Sequence, residues 1–133
     1  MQLLDKKRDG FLFELLAACI IGVMYCANRN FNLFDGVLPY EFLKNYFNDM
    51  CGGALFPVYV NLLCIALNCK CRIDSFIKIA VLELACSVSW EIIAPIVLEW
   101  SVADRWDVVA YFAGGIVYLL MRIRFVGQEI KRV

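Results

Sequence analysis

The residues of this chain best suited to chemistry are acidic, and they lie within or beside long apolar stretches. Glu91 stands inside the third such stretch, and Asp107 opens the fourth, with Asp104 and Arg105 just ahead of it. An ionisable side chain in apolar surroundings is expensive to keep, which makes it a functional-site hypothesis. Asp49, at the start of the second stretch, is expected to join them in a ligand-binding cluster.

Grouped carboxylates can perform three kinds of chemistry. They can hold Mg²⁺ or Ca²⁺ against a phosphate-bearing lipid, bind a cationic ligand directly, or supply Glu91 as a general acid or base. The chain has no histidine and no nucleophile or phosphate-loop motif, and Cys69-x-Cys71 lacks the second ligand pair of a structural zinc site. We therefore expect a non-enzymatic protein without a cofactor or an assigned metal site, while a hard divalent cation stays open.

A polar stripe runs along the third apolar stretch. Glu83, Ser87 and Glu91 recur at intervals of four, so on a helix they share one face, which should point into the protein rather than into lipid. Asn61 lies twelve residues beyond Asp49, at the depth expected for Glu83. The sequence predicts a polar interior made of Asn61, Glu83 and Ser87, with a hydrogen bond between Asn61 and Glu83.

A purely structural role competes with the site hypothesis. Asp49 and Asp107 each precede an apolar stretch, where a carboxylate can cap a helix N-terminus and meet its unpaired N–H groups. Glu91 and Glu83 lie deeper, so capping does not explain them. A pairing of Glu91 with Arg105 is one structural alternative.

Four apolar stretches must position these residues. Of the 133 residues of the chain, 62% are hydrophobic, which exceeds the roughly 45–50% of soluble domains. The net charge is zero, so the chain has no overall basic field to attract nucleic acid. We predict an all-α, polytopic membrane protein with a single domain over residues 1–133. Its four transmembrane helices are expected at about residues 11–27, 50–68, 76–98 and 108–126.

The distribution of basic residues predicts the orientation. Only Arg29, Lys44 and Arg105 fall in the connections after the first and third spans, and the remaining Lys and Arg residues flank the opposite ends. The positive-inside rule then places both termini in the cytoplasm. In the first outer loop, Leu38, Phe42, Tyr46 and Phe47 recur at helical spacing, which predicts a short interfacial helix.

Parts of the second half resemble a known family. Residues 90–95 (WEIIAP) and 103–115 (ADRWDVVAYFAGG) resemble the C-terminal half of VanZ-like membrane proteins, in which a Glu-bearing helix is followed by an Arg, an Asp and helix glycines. Asn48-Asp49 is similar to the start of the second helix in short four-helix members labelled magnesium/citrate transporter-like. The chain departs from the family at Tyr111, where many members have Asn.

The resemblance implies a multi-pass protein of the bacterial cytoplasmic membrane, in a family linked to glycopeptide resistance. We expect a site that faces the outer leaflet and binds a lipid headgroup or an envelope-active ligand. Two alternatives stay open: a small oligomeric subunit of a transport, stress or defence system, and a carboxylate-dependent enzyme or transporter. The expected partners are membrane lipids and a second copy or a membrane-complex partner, with no nucleic acid.

Overall fold

The computed structural model describes residues 2–36, 41–69, 71–98 and 104–130, with side chains described between Gly10 and Phe125. Every regular element in these ranges is helical, which confirms the all-α prediction. The elements are α1 (Gln2–Phe31), α2 (Glu41–Ala66), α3 (Phe76–Ser87), a π-helical turn (Val88–Ile93), α4 (Ala94–Val97) and α5 (Arg105–Ile130).

Within the described ranges, four helical stretches are long and apolar enough to cross a membrane: Gly10–Phe31, Glu41–Ala66, Phe76–Val97 and Arg105–Phe125. At 1.5 Å per residue each covers at least the hydrocarbon core of about 30 Å. Large apolar side chains such as Leu16 and Leu120 are exposed, whereas Glu14 and Glu83 are fully buried. This arrangement, apolar outside and polar inside, is suited to lipid rather than water. The chain is a multi-pass membrane protein.

The closest helix contact joins α2 and α5. Gly53 of α2 lies against the backbone of Tyr111, and Gly114 of α5 lies against the backbone of Met50 and Ala54. A Cβ atom on Gly53 would stand 2.6 Å from the Tyr111 Cα, so this approach requires glycine. Tyr46 bonds Asp104 before this contact and Asn61 bonds Tyr118 after it, so α2 and α5 run parallel. The hydrogen bonds of α1 with α2 show that α1 runs in the opposite direction. The third span does so too, because its Glu91 bonds Asp104 whereas its Glu83 lies at Gly115.

Two ends of the bundle follow from this topology. We call the end at which α2 and α5 begin the distal end, and the opposite end, where α1 begins and α5 finishes, the proximal end. The positive-inside rule predicts that the proximal end is cytoplasmic. The distal end is then the outer face, and this orientation stays a prediction.

The beginning of α2 corrects one expectation. Phe42, Tyr46 and Phe47 belong to the first two turns of α2 and do not form a separate interfacial helix, while Leu38 lies outside the described residues. No glycine or proline interrupts the chain between Glu41 and Cys51, so the helix continues in one register into the span.

The end of α2 follows from a C-terminal cap. Asn68 adopts φ 55°, the left-handed conformation that Asn tolerates better than most residues. Its N–H bonds the Ile65 carbonyl at 3.2 Å, and the Cys69 N–H bonds the Cys64 carbonyl at 2.7 Å. These are the two bonds of a Schellman motif. The cap turns the chain back, and the returning segment carries Ile73 to the side of Asn61.

Pro95 shapes the third span. Proline has no N–H for the carbonyl four residues earlier, and its ring crowds that carbonyl, which belongs to Glu91. The helix responds with the π-helical turn, in which the Ala94 N–H bonds the Ser89 carbonyl five residues before it. Such turns often occur at functional sites. Glu91 therefore lies in an irregular segment rather than in a straight α-helix.

Candidate functional site

Glu91 is held by groups from the start of α5. Its Oε2 accepts the Asp104 N–H at 2.8 Å, and its Oε1 accepts the Tyr111 hydroxyl at 3.4 Å. Arg105 is exposed, and no ion pair joins it to Glu91 within the described part of the chain. The structural alternative that paired these two residues is therefore wrong, and no lysine or arginine in the described part of the chain forms an ion pair with Glu91.

Asp104 is the cap of α5. Its Oδ1 accepts the Trp106 N–H at 2.9 Å, and its Oδ2 accepts the Tyr46 hydroxyl at 2.8 Å. These hydrogen bonds, the one from Trp106 first, hold the pKa of Asp104 below its usual range. The sequence hypothesis gave this capping role to Asp107, which instead occupies the first turn of α5. Asp49 does not cap either, because α2 begins at Glu41.

Four carboxylates gather at the distal end. Asp49 of α2 lies within electrostatic range of Glu91 and Asp104, and Asp107 of α5 lies within range of the other three. All four side chains are half-buried. We call Asp49, Glu91, Asp104 and Asp107 the distal acidic cluster. The structure thus brings together the acidic residues that the sequence proposed as a ligand site.

The electrostatics of the distal acidic cluster are strongly one-sided. Among the described residues, no lysine or arginine forms an ion pair with any of the four carboxylates. Arg105 interacts with Asp104 only at longer range. No group of three or more Asp, Glu or Cys residues in the described ranges is placed to hold a metal ion directly. The cluster is therefore a region of concentrated negative charge bordered by the hydroxyls of Tyr46 and Tyr111.

A second polar group lies near the proximal end, and sequence reasoning did not identify it as a unit. Glu14 of α1 forms a buried ion pair with Arg122 of α5. The Tyr118 hydroxyl bonds both Glu14 oxygens, at 2.9 and 3.0 Å, and the Asn61 amide donates to Glu14 at 3.2 Å. We call Glu14, Asn61, Tyr118 and Arg122 the proximal network. The signal that was available is the pair of opposite charges placed inside apolar helices.

Asn61 corrects the predicted contact with Glu83. The two N–H groups of its amide are shared among Glu14, Tyr118 Oη at 2.6 Å and the Ile73 carbonyl at 3.0 Å, and its Oδ1 accepts the Ile73 N–H at 2.7 Å. The amide is fully used, so it has nothing to offer Glu83. Asn61 is buried as predicted, but its partner is the carboxylate of α1.

Glu83 and Ser87 form a third polar feature, between the other two. Both are buried, with exposed fractions of 0% and 4%, which agrees with the predicted inward stripe. Neither Glu83 oxygen has a hydrogen-bond partner among the described residues, and the same holds for Ser87 Oγ. Glu83 lies against Gly115, where a Cβ atom would stand 2.9 Å from Oε1. We call these two residues the Glu83–Ser87 pair.

Comparison with protein families, with curated proteins and with solved structures finds no match for this chain. The chemistry of the site must therefore be inferred from its own geometry. The proximal network is closed and internally neutralised, which suits a structural tie. The distal acidic cluster has excess charge and half-buried side chains, which suits the binding of a positively charged group.

Proposed function

We propose that this protein binds a positively charged amine group at the distal acidic cluster and works without enzymatic chemistry. The observation behind the proposal is that Asp49, Glu91, Asp104 and Asp107 converge from three helices with no ion-pair partner among the described residues. Four nearby carboxylates repel one another, and a bound cation relieves that repulsion.

An ammonium group fits the cluster better than a directly held metal ion. The carboxylates do not form a metal-ligand set within the described residues, whereas an ammonium group can donate to oxygens spread over a wider area. Trp106 and Phe42 lie beside the cluster, with ring centroids 6.1 Å apart. The Trp106 ring is amphipathic and the Phe42 ring is apolar, and both suit the depth of lipid headgroups. An amine-bearing lipid headgroup or a free amine would satisfy this chemistry.

The resemblance to VanZ-like proteins gives this proposal a setting. In that setting the protein lies in a bacterial cytoplasmic membrane with the distal end outward, and the amine belongs to an outer-leaflet lipid or to an envelope-active compound. The positive-inside distribution of Lys and Arg supports the orientation. A role in glycopeptide resistance is the expectation that comes with the resemblance.

Binding of phosphatidylethanolamine and of free ethanolamine to the purified protein in detergent tests the proposal. Native mass spectrometry or calorimetry would measure the dissociation constants, with phosphatidylglycerol as the lipid that lacks an amine. We expect Glu91→Gln and Asp107→Asn each to weaken amine binding about tenfold, which corresponds to about 1.4 kcal/mol for one lost carboxylate charge. Binding of the lipid but not of free ethanolamine would identify a headgroup site.

Asp35→Asn is the matched control. Asp35 is also acidic, but it is exposed and pairs with Lys44 at 2.6 Å, and the charge that acts on it is that of Lys44 rather than those of the cluster. Its substitution should leave the dissociation constants unchanged. Equal binding by wild type, Glu91→Gln and Asp107→Asn would refute the proposal, and so would equal affinity for phosphatidylethanolamine and phosphatidylglycerol.

A further inference from the structure

The Glu83–Ser87 pair belongs to neither the distal acidic cluster nor the proximal network. Glu83 has no exposed surface and, among the described residues, no hydrogen-bond partner. A carboxylate anion in such a place is costly, because neither water nor a donor compensates its charge. A structural carboxyl would be expected to have acquired a partner, as Glu14 has in Arg122. Glu83 therefore requires a functional explanation.

The packing around Glu83 limits what it can bind. A Cβ atom on Gly115 would stand 2.8 Å from Ile79 Cγ2 and 2.9 Å from Glu83 Oε1, so the carboxyl lies directly on the α5 backbone. This contact leaves no space on that side for an organic ligand, whereas a proton needs none. We propose that Glu83 is a proton-binding site in the middle of the bundle, and that its proton exchanges with the distal end along Ser87 and Glu91.

The residues described around Glu83 include no fixed counter-charge. No described lysine or arginine forms an ion pair with it. On α5 the nearest titratable side chains lie one turn to either side of Gly115, on α2 they lie toward the distal end, and on α3 there is one thiol. These residues are Tyr111, Tyr118, Asp49, Cys51 and Cys86, and of them Cys86 interacts electrostatically with Glu83. None of these residues forms a hydrogen bond or an ion pair with Glu83 that would keep it permanently protonated or permanently ionised.

The direction of exchange follows from the two ends. Ser87 lies four residues beyond Glu83, about 6 Å of rise along α3. Glu91 follows in the π-helical turn and is half-exposed among the distal carboxylates. Toward the proximal end, Glu14 is already neutralised by Arg122. Neither Glu83 nor Ser87 Oγ has a direct hydrogen-bond partner among the described residues, so bridging water molecules must complete the route. When Glu83 releases its proton, these waters relay it past the Ser87 hydroxyl to the Glu91 carboxylate. Glu83 is then the anion and Glu91 the neutral acid.

Infrared difference spectroscopy of the purified protein in nanodiscs tests this inference, which does not depend on amine binding. We expect a carboxylic-acid C=O band that disappears reversibly as pH rises, shifts on exchange into D₂O, and is missing in Glu83→Gln. Asp35→Asn should keep the band. The inference fails if Glu83→Gln gives the wild-type spectrum, or if the Glu83 band neither titrates nor shifts in D₂O.

Two further measurements test the exchange route and guard against misfolding of Glu83→Gln. Ser87→Ala should slow the D₂O shift of the Glu83 band several-fold while the band itself persists, and an unchanged rate would refute the exchange route. Glu83→Asp keeps a carboxyl at this position, so it should retain a carboxylic-acid band that titrates and shifts in D₂O. A Glu83→Asp protein without such a band would overturn the assignment, even if Glu83→Gln folds poorly.

Discussion

Arg122→Met is expected to destabilise the protein strongly because it leaves the Glu14 charge unpaired. Glu14 has no exposed surface and Arg122 is 8% exposed. Removal of one partner from a buried ion pair costs about 3–5 kcal/mol. Asn61 and Tyr118 still donate to Glu14 in the variant, so we expect the lower value, about 3 kcal/mol. The ratio of folded to unfolded protein should then fall by roughly a hundredfold.

The free energy of unfolding would be measured by SDS titration in mixed micelles, followed by tryptophan fluorescence. Lys78→Met is the matched control, because the Lys78–Asp74 pair has the same charges but is exposed, and its loss should cost about 1 kcal/mol or less. Glu14→Gln combined with Arg122→Met removes both charges and should recover about half of the loss or more. If Arg122→Met costs no more than Lys78→Met, or if the double variant recovers nothing, the buried-charge reasoning is refuted.

Three other predictions concern packing, the π-helical turn and orientation. Gly53→Ala should lower the unfolding free energy by about 1–3 kcal/mol because its Cβ meets α5, whereas Gly52→Ala, with open space around it, should be neutral or stabilising by SDS titration. Pro95→Ala should restore α-helical register and weaken amine binding in the ethanolamine titration without lowering stability. A membrane-impermeant maleimide should label Cys69 and Cys71, both exposed at the proximal end, in inverted vesicles but not in intact cells.

The four spans could be predicted because length and hydropathy respond directly to the thickness of a bilayer. Helix boundaries could not be read from hydropathy, since it does not record where the backbone hydrogen-bond ladder starts. Glu41 begins α2 about two turns earlier than the apolar stretch does. Pro95 was a visible signal for a break in the third span. The form of that break, a π-helical turn rather than a kink, depends on which carbonyls the neighbouring turns can use.

The candidate site was predictable to the extent that it depends on depth. Asp49, Glu91 and Asp107 each lie near the distal end of a span, so topology alone brings them to one level. Rotation of a helix about its axis is not set by depth. Glu14 and Arg122 are 108 residues apart, and their pairing requires that α1 turns one particular face toward α5. Asn61 shows the same limit, because it is buried as predicted but its predicted partner, Glu83, was wrong.

The polar interior is asymmetric, and this asymmetry is the main argument for function. In the proximal network every polar group has a partner and the one carboxylate has its cation, which is the arrangement that stability favours in lipid. The distal acidic cluster concentrates like charges instead, at a cost to stability that a structural role would not require. A ligand that neutralises the cluster must bind the folded state in preference, so it stabilises the fold by about 2.7 kcal/mol at a hundred times its dissociation constant. Ligand binding at the distal end and the unfolding free energy of the bundle are thus thermodynamically linked.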